Sequence, residues 1–482
     1  MPVSEGARRV VHLGWCANGD GFDVALAVHR LLAVGGRAWW LTRKHHAAAA
    51  GDYLVEVTQR VHDALLRFGL RLAPWPAAIP EDARALASPR VRLFAGHASK
   101  YPYFAYYALC LLRLGIDYVP CDGASLAGSS LDRANLLVLP GGFATWGIDA
   151  AEGATGADAS VRDFLARGGA ALGSCGGAFY LSAGRPGWTG TADAMPLYTH
   201  EYLQSGVAIV SIALAASPLG LGLPPTIEVP YYHGPIYDLV GPQVDVAATF
   251  HAFTLPGRLA IDNPLDRERF DREMKGKPAI LVVNGERGRA VLFSPHPEMG
   301  DLVRKYVALD GYVRRYLPIR GLETLRDTMR HYRVTDSPSF RLVQNAMHLL
   351  ALPEAAQATG EGAHDSAPTR TRLDPFPLDV CRRALAALPD FGGGDEGALL
   401  RDVATGIGRR FAIAAERFAS VRDDGTPSAL LASWQHFAQA LAEHRLAADA
   451  AVSQRLLDVD LAVSLIECWT RLAGLDRSLA SP

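Results

Sequence analysis

Two short stretches of this 482-residue chain carry residues whose types and spacing suit acyl transfer: Gly173-Ser174-Cys175-Gly176-Gly177 and Ser294-Pro295-His296-Pro297-Glu298. Cys175 follows an apolar run and precedes a helical pattern. A strand-to-helix turn that sharp strains the backbone, so the positions two before and two after the cysteine must be small, and Gly173 and Gly177 are. The turn also leaves the thiol at a helix N-terminus, where unpaired N–H groups and the helix dipole favour the thiolate. Such a nucleophile needs a base within hydrogen-bond reach and a third group that orients the base. Residues 289–293 read as a strand, and the loop after it is stiffened by two prolines that set His296 beside Glu298. His296 is then the expected general base and acid, and Glu298 its orienter. Cys16, Cys110, Cys121, Cys381 and Cys468 lack such a frame and read as inert core cysteines.

A third element is Leu139-Pro140-Gly141-Gly142. Glycines there let the N–H groups of Gly141 and Gly142 turn inward and join that of Gly176 in an oxyanion hole; a plain tight turn after a strand is the other reading. Tyr232 and His233, in Tyr231-Tyr232-His233-Gly234-Pro235, can line a pocket beside Cys175 or simply pack at a turn. Phe179, one helical turn past the cysteine, is expected to form an aromatic pocket wall together with Tyr231, Tyr232 and Tyr237. His97, Ser99 and Tyr101 follow the first strand of the same region and read as a polar turn, with binding of a carboxylate or amide as the alternative.

The elements that must position these residues alternate. Apolar runs at 91–95, 117–121, 135–139 and 170–173 are separated by helical patterns at 103–114 and 160–167, a βαβ order that predicts a flavodoxin-like α/β fold: a parallel sheet with helices on both faces. Strand C-termini gather at one edge of such a sheet, which is where Cys175 and His296 can meet. Residues 1–90 read as a small α/β extension with a strand at 10–13, helices at 22–32 and 53–68, and a strand at 38–41. The α/β unit spans 91–318, a helical extension 319–356, a polar linker 357–375, and a C-terminal helical domain 376–482.

Composition limits the partners. Forty-eight lysines and arginines against 50 acidic residues leave a formal charge of −2, which gives no field to draw the chain to nucleic acid or an anionic membrane. No Cys/His spacing suits zinc and no cysteine pattern suits a disulfide framework, so the expectation is a cytoplasmic protein without metal or cofactor. The uncharged stretch 206–223 reads as a buried strand, Val207–Leu214, and a loop rather than a membrane span. The expected partners are a small-molecule or peptide amide substrate and a protein bound through the C-terminal helices.

Together these motifs resemble the class I glutamine amidotransferase-like superfamily, in which G-x-C-x-G and a C-terminal H-P-E carry a Cys-His-Glu triad. Within it, 91–318 is most similar to the amidotransferase-like domain at the N-terminus of eukaryotic biotin–protein ligases, on Pro140-Gly141-Gly142, Gly173 to Phe179, Val229 to Pro235 and Ser294 to Glu298. Members that hydrolyse glutamine usually have Gln where this chain has Phe179, so the resemblance implies an amidase or amidotransferase-like hydrolase that is not a simple glutaminase. No ligase motif follows. A catalytically silent binding or regulatory module is the alternative. The related intracellular proteases and cofactor-free glyoxalases need an early carboxylate, and here only His97 and Ser99 follow the first strand.

Overall fold

In the computed structural model the residues described are 8–19, 21–99, 102–142, 146–197, 205–259, 262–351, 370–371, 376–421, 426–427, 439 and 452–480. Tyr101 lies outside them. Near the N-terminus, β1 (Arg9–Leu13), β2 (Ala38–Trp40), β3 (Tyr53–Val57), β4 (Ala73–Pro74) and β5 (Arg84–Ala85) form an antiparallel sheet in the order β4-β1-β3-β2-β5. The helix expected over 53–68 is therefore a strand followed by the shorter helix Gln59–Arg67. Tyr53, Leu54 and Val55 are aromatic or bulky apolar side chains that pack fully buried on a pleated surface. Thr58 then caps the helix, its hydroxyl accepting from the Val61 N–H at 3.3 Å.

The second sheet has nine strands: β6 (Val91–Phe94), β7 (Tyr118–Cys121), β8 (Leu136–Leu139), β9 (Ala170–Ser174), β11 (Val207–Leu214), β12 (Thr226–Tyr232), β14 (Val244–Pro256), β15 (Pro278–Gly285) and β16 (Gly288–Phe293). Strands β10 (Ala194–Pro196) and β13 (Tyr237–Val240) pair separately. The order is β12-β11-β14-β15-β16-β9-β8-β6-β7. From β16 to β7 every pairing is parallel, and taken in chain order these five strands run 2-1-3-4-5, the flavodoxin-like sequence. From β12 to β16 every pairing is antiparallel, so the expectation of a parallel sheet holds for one half only. For β15 and β16 the cause is connection length. A parallel return needs a crossover of a dozen or more residues, and the two residues Glu286 and Arg287 between β15 and β16 permit only a hairpin.

Alternate side chains of the parallel strands enter two cores. Leu136, Val138 and Leu172 face one side with helices Tyr103–Arg113 and Pro338–Leu350, while Leu137, Leu139 and Ala171 face the other with helices Ala157–Ala166 and Gly176–Leu181. The last helix, Val452–Ala480, is buried on nearly all sides. It packs on Tyr103–Arg113 and on helices Gly300–Val307 and Gly394–Val421, sharing the first of these cores. Its Asp460 is fully buried, and Lys305 Nζ and Tyr306 Oη both donate to it at 2.8 Å, with Arg410 as a further partner. Burial opposes ionisation of Asp460, but these cations hold its pKa below the usual carboxylate range. Among the described residues no helix is long and apolar enough to cross a membrane, and no group of three or more His, Cys, Asp or Glu is placed to hold a metal ion.

Candidate active site

Strand register decides what meets at the sheet edge. Phe293 pairs with Ser174 and Leu139 with Gly173, so β8, β9 and β16 end level and their following residues converge. Cys175 sits at φ 50° and ψ −107°, a conformation that costs energy for any residue with a Cβ and persists only where neighbours over-determine it. The ties are visible. Cys175 N–H donates to Phe293 O at 2.9 Å, Gly177 N–H donates to Pro140 O at 3.1 Å, and Phe179 N–H donates to Cys175 O at 2.9 Å. The glycine frame is required by space: a Cβ on Gly173 would lie 2.6 Å from the Gly177 carbonyl carbon, and one on Gly177 would overlap the Leu139 carbonyl oxygen.

His296 and Glu298 are both fully buried, with Nδ1 donating to Glu298 Oε1 at 2.6 Å. Burial by itself drives an imidazole pKa down. Here the Glu298 carboxylate and the nearby Cys175 sulfur outweigh it and raise the His296 pKa from 6.5 to about 10. The other carboxylate oxygen, Oε2, accepts from Ser174 Oγ at 2.9 Å, and the Tyr107 hydroxyl in turn donates to Ser174 Oγ at 2.5 Å. A buried chain Tyr107–Ser174–Glu298–His296 thus fixes the carboxylate that fixes the imidazole. Removing the Ser174 hydroxyl takes one hydrogen bond from a buried charge, so Ser174→Ala is expected to lower the unfolding free energy by about 1.5–3 kcal/mol. Denaturant titration of the two proteins checks it.

The imidazole Nε2 is buried and has no hydrogen-bond partner among the described residues. The Cys175 thiol instead donates to the Tyr232 carbonyl at 2.9 Å. Between the two side chains lies Gly141, whose absent Cβ would fall 2.7 Å from His296 Cε1 and 3.3 Å from Cys175 Cβ. The thiol and the imidazole therefore face each other across the space of one small side chain, and glycine keeps that space open. Ser99, buried in the turn His97–Ser99 that follows β6, donates to the Gly141 carbonyl at 3.0 Å, which joins the loops after β6 and β8 at the point where strand order reverses. Gly142 is exposed at φ 90° against the Tyr103 ring. The N–H groups of Gly141 and Gly176 have no hydrogen-bond partner among the described residues.

Aromatic rings flank the imidazole: Tyr103 stacks on it with centroids 5.9 Å apart, and Tyr232 meets it edge-on at 6.0 Å. His233 follows at φ 49°. Its Nδ1 accepts from the Gly206 N–H at 2.9 Å, so a neutral ring carries its proton on Nε2. Burial chiefly, then His296 and Arg269, lowers the His233 pKa to about 4 and keeps the ring uncharged near neutrality.

The structure does not gather the expected aromatic wall. Phe179 is buried against Trp188 at 5.8 Å in the core on the far side of the sheet. Tyr231 and Tyr232 are neighbours on one strand and so project to opposite faces. Tyr231 packs on Phe250 and donates to the Gly234 carbonyl, while Tyr237 is buried beside Ser182. Tyr103, Tyr107 and Ser174 take part in the site without having been singled out in the sequence. Ser174 lies next to the cysteine, and Tyr103 and Tyr107 lie in the aromatic helix after the first strand of the α/β unit. Cys16 is exposed rather than a core residue. Cys110, Cys121 and Cys468 are buried, and burial pushes their thiols up, to about 12 for Cys121 and Cys468.

No family model matches the chain, and no curated protein matches it. Solved structures similar to it include a glutamine amidotransferase from Thermotoga maritima, at 13% identity over 54% of this chain and 98% of that one, with a TM-score of 0.32. A glutamine amidotransferase from Methylobacillus flagellatus aligns at 15% identity over 58% of this chain and 98% of that one, TM-score 0.32. A β-galactosidase from Bacillus circulans also aligns, at 13% identity over 43% of this chain and 28% of that one, TM-score 0.26. Likeness this remote assigns no chemistry.

Proposed function

We propose that the chain is an amidotransferase-like hydrolase that cleaves a C–N amide through Cys175, His296 and Glu298. The observation that carries this reading is the pairing of a strained cysteine at a helix start with a buried His–Glu couple whose Nε2 has no other partner. The Cys175 sulfur, its proton already held on the His296 imidazolium, attacks the amide carbon, and the carbonyl oxygen becomes an oxyanion held by the Gly141 and Gly176 N–H groups. The C–N bond then breaks, with His296 returning the proton to the leaving amine. Water attacks the thioester carbon, gives a proton to His296, and expels the Cys175 sulfur as thiolate, which releases the acid and restores the starting pair. Gly142, Tyr232 and the neutral His233 Nε2–H stand beside this path as substrate contacts.

Free glutamine is expected to be a poor substrate, and an amide on a larger or more apolar group a good one. The rings around His296 belong to Tyr103 and Tyr232. Aromatic walls gain by burying apolar surface at roughly 25 cal/mol per Å², which a small zwitterion does not supply. Ammonia release from glutamine and from a panel of amide-bearing peptides and metabolites, for wild type and Cys175→Ala, tests this. Efficient Cys175-dependent release from free glutamine refutes it.

One observation favours a silent binding module: the thiol donates to the Tyr232 carbonyl at 2.9 Å. Alkylation separates the two readings. In a Cys16→Ser background, which removes the exposed competitor, iodoacetamide at mildly acidic pH is expected to label Cys175 faster than any other cysteine. Equal rates at all five favour the binding module.

A further inference from the structure

Away from the cysteine, helices Leu322–His331, Gly394–Val421 and Val452–Ala480, together with residues 332–336, line an open cavity of about 840 Å³. That volume falls within the range of small-molecule sites. Nine arginines and lysines line it against four carboxylates. All four carboxylates are already engaged by lining arginines: Glu323 and Asp402 by Arg326, Asp336 by Arg113, and Glu467 by Arg410. The excess therefore falls on exposed Arg333, Arg409 and Arg417, which have no carboxylate partner among the described residues. Three unneutralised guanidinium groups around one cavity give it an unbalanced positive charge that a bound anion offsets.

A second feature is independent of charge. Gly406 lies in the interior of helix Gly394–Val421, where glycine is the least favourable residue after proline. No neighbour demands it, since a Cβ there would meet no atom within 4 Å. It lines the cavity on the face shared by Arg409, Arg410 and Arg417, and so leaves room beside those guanidinium groups. Buried Leu399, Val403 and Ile407 contribute apolar lining.

We propose that this cavity binds a small phosphorylated molecule that also carries an apolar or flat group. Arg333, Arg409 and Arg417 fork onto phosphate oxygens, which suits planar guanidinium better than ammonium, and the apolar lining takes the remainder. The proposal does not depend on the chemistry of Cys175.

The test is calorimetric titration of the full chain with ATP, inorganic tripolyphosphate and adenosine at constant ionic strength. ATP is expected to bind more tightly than tripolyphosphate, and adenosine not to bind measurably. Loss of a guanidinium contact to phosphate is expected to weaken ATP binding about tenfold or more in Arg409→Ala and in Arg417→Ala. Both side chains are exposed, so folding is spared. Gly406→Leu should abolish binding by filling the space, while Gly406→Ala, the smaller change, should keep the helix at least as stable and serve as the folded control. Failure of both ATP and tripolyphosphate to bind, equal affinity for ATP and adenosine, or unchanged ATP affinity in Arg409→Ala, Arg417→Ala and Gly406→Leu would each overturn the assignment.

Discussion

Cys175→Ala is expected to lower amide hydrolysis by about 10⁴-fold or more while leaving the protein folded. A triad acts as a unit, and without the sulfur only binding and oxyanion stabilisation remain. His296→Ala should fall as far, and the double variant little further, because each single change already removes the covalent route. The fold tolerates the alanine because the elbow is held by main-chain bonds to Phe293, Pro140 and Phe179 that use no atom of the thiol. Steady-state rates on the best amide of the panel, with circular dichroism of each variant, decide the matter. Full activity in either single variant removes the catalytic assignment.

Glu298→Ala should damage both activity and stability. Glu298 is fully buried and satisfied on both oxygens, by His296 Nδ1 and by Ser174 Oγ. Its removal strands a buried imidazole and a hydroxyl, for which the expected loss is about 3–5 kcal/mol of folding free energy. Glu298→Gln keeps the volume and should be milder, while still weakening the hold on an imidazolium. The sign of the pH dependence follows from His296. Its pKa is raised from 6.5 to about 10 in the fold, so its contribution is fully present below 6.5 and is lost as pH rises through about 10. The stability advantage of wild type over Glu298→Gln should therefore be largest below pH 6.5 and shrink toward pH 10. Denaturant titrations at a series of pH values measure it, and an advantage that grows with pH contradicts the ion pair.

The pieces of the site that are close in sequence could be read from the residues alone. Gly173, Cys175 and Gly177 occupy one turn whose sterics allow little else, and His296 reaches Glu298 because the two are separated by a single proline. The four apolar runs between 91 and 173 likewise predicted the parallel strands that the structure has, since alternating strands and helices can pack in few ways. What the sequence left open depends on neighbours remote along the chain. Whether Phe179 faces the cysteine or the opposite core was set by Trp188 and the far side of the sheet. Ser174 became the anchor of Glu298 only because β9 and β16 pair in a register that brings residues 124 positions apart to 2.9 Å. The hairpin of β15 and β16 follows from its two-residue connection, whereas β14 and β15 pair antiparallel across residues 257–277, a connection long enough for either direction. The final helix, expected as part of a separate bundle, lies against Tyr103–Arg113, the helix that carries Tyr103 and Tyr107 into the site. Periodicity identifies a helix and its apolar stripe, but the surface that stripe covers is chosen by the free energy of the whole core, and that choice exists only in the folded chain.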